Sequence, residues 1–157
     1  MDKTKLDAIT ERIIGAAHKV SNTLGVGFVE KVYENAFTRE MRKAGLTVVQ
    51  QHPIKVPYDD IVVGEFFVDL LVEELVLVEL KSVSTLIDDH MMQALNYLRA
   101  SGLPACLLIN FGTPRAQIRR LHPSQVENKS TKQICKDMMR LSKPILFIPV
   151  HPRCNNA

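Results

Sequence analysis

Apolar positions recur along this chain with two different periods, and the change of period predicts its elements. Leu6, Ile9, Ile13, Ala16, Ala17, Val20 and Leu24 stand three and four apart, which predicts an amphipathic helix over 5–24. Gly25-Val26-Gly27 breaks it. Val29, Val32, Tyr33, Ala36, Phe37, Met41 and Ala44 then mark a second helix from about Phe28 to Ala44, stopped by Gly45. From Leu46 the pattern turns to short β-rich runs, TVVQQ and IKVPY separated by Pro53, then a turn at Asp59-Asp60 and the run IVVGEFFVDLLV. Glu73-Glu74 is the polar break before LVLVELKSV, so these two runs read as a hairpin. Ser84 or Thr85 is placed to cap a third helix carrying Leu86, His90, Met91, Ala94, Leu95 and Leu98, ending near Gly102. ACLLINF, bounded by Pro104 and Gly112, reads as a buried strand, and Gln117 to Leu121 as a last edge strand. The order predicts an α/β or α+β sheet with helices on its faces.

Beyond Pro123 the pattern weakens. NKSTKQICKDMMRL fits a helix and PILFIPV an extended run with proline at both ends. The expectation is one domain over residues 1–123 and an appendage over 124–157. Charge divides the chain at a similar place: residues 1–114 hold 11 basic and 15 acidic side chains, residues 115–157 hold 9 and 2. Such a basic tail suits contact with nucleic acid, although solubility alone also explains many basic tails. The segment 145–150 could instead pack on the core or on a second subunit, which leaves a homodimer open.

With 157 residues and 46% apolar side chains, the chain can bury a core without disulfides or a structural metal. Three cysteines, Cys106, Cys135 and Cys154, fit neither a disulfide framework nor paired zinc ligands, so reduced thiols in the cytoplasm are expected. No apolar run reaches the length of a membrane span, and MDKTKLDAITER lacks the apolar stretch of a secretion signal.

The informative feature is charge inside apolar runs. Asp69 interrupts FFVDLLV, and Glu79 with Lys81 interrupts LVLVELKSV. Buried charges need partners or a metal. Side chains alternate along a strand, so Glu79 and Lys81 share a face. A two-residue turn at Glu73-Glu74 would oppose Asp69 to Val78 and put it on the other face, so convergence of the carboxylates requires a loop of three or five residues, or a bulge. Two converging carboxylates suit a hard divalent cation. The alternative is an ion pair of Lys81 with Asp69 or Glu79 that holds the hairpin register. On the next helix His90, Gln93 and Tyr97 form one polar stripe, which either faces the carboxylates or is a solvated face. Glu30 falls in the first turn of its helix, where a carboxylate is favoured by the dipole alone.

Gly27-Phe28-Val29-Glu30-Lys31-Val32-Tyr33, followed by GLTVVQQ, VGEFFVDLLVEELVLVELKSV, HMMQALNYLRASGL and LLINFG, resembles the GxxExxY proteins over about residues 5–121. That family looks like a branch of the PD-(D/E)XK nuclease superfamily, whose site is an Asp on one strand and Glu-x-Lys on the next; Asp69 and Glu79-Leu80-Lys81 fit it, with Val68 in place of the usual proline. Gln93-x-x-x-Tyr97 and Glu30 resemble further elements of its exonuclease branch. The resemblance implies a restriction-endonuclease-like core, a mixed sheet of four to five strands flanked by helices. It implies a nuclease acting on nucleic acid, most simply DNA, with Mg2+ or Mn2+ held by Asp69, Glu79, the Leu80 carbonyl and Glu30. Lys81, Gln93, Tyr97 and His90 would then serve catalysis. The rival reading is a binding module on the same fold without hydrolytic activity, recruiting DNA or a protein.

Overall fold

The structure is a computed structural model that describes residues 3–125. All described residues belong to one compact unit. The helix and the extended run expected beyond Pro123 lie outside the described residues. Helices α1 (Lys3–Leu24) and α2 (Glu30–Lys43) come first, then strands β1 (Val48–Tyr58), β2 (Ile61–Val72) and β3 (Val76–Lys81). Helix α3 (Asp88–Ser101) and strands β4 (Ala105–Asn110) and β5 (Gln117–Leu121) complete the unit. The five strands form one sheet in the order β1-β2-β3-β4-β5. Only β3 and β4 are parallel, joined by a crossover through α3; the other neighbours are antiparallel. This is the mixed, helix-flanked α+β sheet expected from the sequence.

Helices cover both faces of the sheet, which explains why residues 76–78 of β3 and 105–109 of β4 read as continuous apolar runs. On one face Ile13 and Ala17 of α1 and Tyr33 and Phe37 of α2 pack on Leu70, Val78, Leu80, Leu107 and Ile109. Phe111 ties that layer together, stacked on Tyr33 at 4.9 Å and edge-on to Phe37 at 5.8 Å. On the other face Ala94, Leu95 and Leu98 of α3 pack on Leu71, Leu77, Cys106 and Leu108. No helix among the described residues is long and apolar enough to cross a membrane.

Two local expectations are corrected. TVVQQ and IKVPY are one continuous strand, with Pro53 paired to Phe67 inside it. The strand lies at the sheet edge, where a missing N–H is tolerated because hydrogen bonds are needed on one side only. Neither Ser84 nor Thr85 caps α3. The helix starts at Asp88, and the backbone N–H of Ile87 donates to His90 Nδ1 at 3.2 Å, so a histidine side chain does the capping.

Candidate active site

The β2–β3 hairpin is closed by Glu73, Glu74 and Leu75, with Glu73 and Glu74 at φ of 52° and 57°. This three-residue loop sets Leu70 opposite Val78 and Val72 opposite Val76, so the register brings Asp69 to the level of Glu79. The odd-length loop that convergence required is present. The ladder stops at this point. The backbone N–H of Leu80 donates to Asp69 Oδ2 at 2.7 Å, while β3 runs on beside β4 as far as Lys81 opposite Asn110. The two strands therefore part where both carry a carboxylate.

The adjoining strand is distorted at the same level. Val48 packs on the α1/α2 side and Ile54 on the α3 side, and likewise Leu70 and Val68, so the alternation of both strands shifts around Gln51 and Asp69. Gln51 has φ of 52°, a conformation that costs a non-glycine residue of order 1–3 kcal/mol. Its side-chain amide donates to Glu34 Oε2 at 3.0 Å and to Asp69 Oδ1 at 3.4 Å. Glu34, buried on α2, also accepts from Gln50 and Lys31, both at 2.8 Å. Asp69 is thus held by a backbone N–H on one oxygen and, on the other, by the exposed Gln51 amide, which the buried Glu34 anchors.

Glu79 is less well provided. Its residue exposure is 4%; Oε1 accepts from Lys81 Nζ at 2.8 Å, but the buried Oε2 has no hydrogen-bond partner. Burial, reinforced by the charge of Asp69 and opposed by Lys81, raises its pKa to about 7. Burial also raises Asp69, with the Leu80 N–H pulling the other way. For Lys81 burial acts to lower the pKa, yet Glu79, Glu30 and Asp69 outweigh it and hold the ammonium above the ordinary lysine value. Glu30 reaches the same neighbourhood from the first turn of α2. Its Oε1 accepts from the backbone N–H of Ser82 at 3.2 Å, and Ser82 Oγ donates to the Phe28 carbonyl at 2.9 Å. These bonds dock the Gly-rich turn and the start of α2 onto the end of β3. Among the described residues no group of three or more His, Cys, Asp or Glu is arranged to hold a metal, so Asp69 and Glu79 form a two-carboxylate pair.

The stripe on α3 divides. Gln93 Nε2 donates to the Tyr97 hydroxyl at 2.9 Å, and Tyr97 packs against Phe66 at 5.8 Å. His90 is turned to the helix cap. None of the three is hydrogen-bonded to Asp69, Glu79 or Lys81. Glu34 and Asn110 escaped the sequence reading. Glu34 carried a signal, one turn after Glu30 on the same helix face. Asn110, fully buried at the end of β4, accepts from the N–H groups of Val83 and Gly112, both at 3.0 Å, and donates to the Val83 carbonyl at 2.8 Å. It fixes the chain leaving Lys81. Gly112 must be glycine here, since a Cβ would stand 2.2 Å from the Val83 carbonyl oxygen.

A comparison with curated proteins finds no match. Among solved structures, an alkaline exonuclease (LHK-Exo) from Laribacter hongkongensis is similar at 14% identity and a TM-score of 0.43, over 80% of this chain and 79% of that one. The family model of the PD-(D/E)XK nuclease superfamily matches residues 7–121, a span that holds the whole sheet and the parted strands bearing Asp69 and Glu79-Leu80-Lys81. The chain belongs to the PD-(D/E)XK nuclease superfamily.

Proposed function

We propose that this protein is a divalent-metal-dependent phosphodiesterase acting on DNA, with Mg2+ as its ion and Mn2+ as a substitute. The observation that carries the reading is the buried, unpartnered Oε2 of Glu79 beside Asp69 and Lys81. Lys81 pairs with Glu79 through Oε1 alone, at 2.8 Å, which leaves Oε2 open to a cation. The donor set fits a hard cation: Asp69 and Glu79 supply carboxylate oxygens, with the Leu80 carbonyl and waters completing the shell. Bound there, the ion would neutralise phosphodiester charge and make a water more acidic. The chain's own groups do the rest. The Leu80 N–H and Gln51 fix the Asp69 carboxylate, and Lys81, kept protonated by its acidic neighbours, orients the attacking water and offsets charge developing on the phosphate. Gln93 and Tyr97, bonded to each other, position the phosphate, with His90 at the start of the same helix, and Glu30 adds a further carboxylate beside Ser82.

Within the superfamily we assign the chain to the GxxExxY proteins. The motif has a physical role here: Gly27 adopts φ of 108°, the buried Tyr33 hydroxyl donates to the Gly25 carbonyl at 2.8 Å, and Glu30 meets Ser82. We further propose residues 1–123 as the nuclease domain and the basic residues 124–157 as an appendage that contacts phosphates, in a cytoplasmic protein. Incubation of purified protein with labelled DNA and RNA, with Mg2+, Mn2+ or EDTA, tests the reading. Cleavage of DNA that needs the ion and is lost in Asp69→Asn and Glu79→Gln supports it. Metal-dependent DNA binding without cleavage would favour the inactive binding module. RNA cleavage alone would correct the substrate.

A further inference from the structure

Beyond Asp69, strands β1 and β2 continue as an arm with two different faces. One face packs on α3, with Ile54 and Val68 buried and Phe66 against Tyr97. The opposite face is exposed throughout. Its side chains form three cross-strand pairs: Pro53 with Phe67, Lys55 with Glu65 and, past the register shift after Val56, Pro57 with Val62. Phe67 is 56% and Val62 57% exposed. An opposite-charge pair is thus flanked by apolar pairs, and neither Lys55 nor Glu65 forms an ion pair among the described residues. Large apolar side chains open to solvent on a sheet edge mark an association surface.

We propose that this face is a homodimer interface, in which two copies pack arm to arm about a two-fold axis running between β1 and β2, parallel to the strands. Such a rotation lays β1 of one copy over β2 of the other at the same level. Lys55 then meets the partner's Glu65 and Glu65 the partner's Lys55, while Pro53 covers the partner's Phe67 and Pro57 the partner's Val62. A two-fold interface must be self-complementary, and the register of this hairpin provides that at every level. Pro53, Phe67, Pro57 and Val62 make up the apolar part of this face; Tyr58 and Ile61, the next pair along the strands, alternate to the other face. Asp59, Asp60 and Glu65 against Lys55 make the arm net acidic, which disfavours a phosphate backbone as the occupant. The proposal does not depend on nuclease activity.

Sedimentation velocity on the full chain at micromolar concentrations tests it, with circular dichroism melts to verify folding of each variant. The wild type should be a dimer. Lys55→Glu and Glu65→Lys, each placing like charges together twice per dimer, should each raise the dissociation constant about tenfold or more. The double variant Lys55→Glu/Glu65→Lys should return it to within about threefold of wild type, because the pairing is restored in reverse. Phe67→Asp should give a folded monomer. A wild-type monomer at about 100 μM, single variants that associate unchanged, or a double variant no better than either single one would overturn the proposal.

Discussion

Lys81 and Asn110 are partners across the β3–β4 ladder, and two buried polar clusters meet there with opposite characters. Asn110 is fully buried and its carboxamide is saturated: Val83, Gly112 and Gln117 take up both its donor and its acceptor sides. Glu79, two residues before Lys81, is nearly as buried and leaves an oxygen without a partner beside a second carboxylate. A saturated network gains by staying as it is, whereas an unsatisfied acidic one stores a cost that a cation can relieve. The first cluster is architecture. The second is where the proposed function places a cation.

The comparison is broken most severely by exchanging the roles. Asp69→Asn and Glu79→Gln should each reduce metal-dependent cleavage by about a thousandfold or more while the protein stays folded, as measured by single-turnover assays and thermal melts. Asn110→Ala should do the reverse. It strands the Val83 and Gly112 backbone groups, so unfolding in urea should show a loss of about 3 kcal/mol, with activity at low temperature falling far less.

The two clusters also respond differently to pH. A carboxyl whose pKa is raised on folding holds its proton more tightly in the native state, so its contribution is full below the ordinary carboxylate value and is lost as pH rises through the folded value. With Glu79 at about 7, metal-free protein should lose roughly 3 kcal/mol between about pH 4.5 and pH 8. Asp69 acts in the same direction. Urea midpoints across that range should fall for the wild type and fall less for Glu79→Gln, in which only the Asp69 contribution remains. The smallest effect belongs to Gln51→Gly, which relieves the positive φ but removes the amide holding Asp69. Stability should stay within about 1 kcal/mol of wild type while cleavage drops around tenfold.

The second cluster was legible in the sequence and the first was not. Asp69, Glu79 and Lys81 announce themselves because charge inside an apolar strand has few explanations, and the parity of the hairpin follows from requiring them to meet. Asn110 looks like the polar end of an apolar run; its value comes from Val83, a contact created only when β4 aligns parallel to β3 after the α3 crossover. Glu34 and Gln51 are likewise joined to Asp69 by packing between α2 and the first hairpin, which no local pattern encodes. Pro53 misled for a related reason: its effect depends on whether the strand is at an edge, a property of the whole sheet.

Isothermal titration of Mg2+ and Mn2+ into wild type, Glu79→Gln, Asp69→Asn and Asn110→Ala tests most directly whether the unpartnered Glu79 oxygen is a cation ligand. Wild type and folded Asn110→Ala should bind the ion, and the two carboxylate variants should lose that binding. Wild-type protein that takes up neither ion, or carboxylate variants that bind as wild type does, would contradict the account.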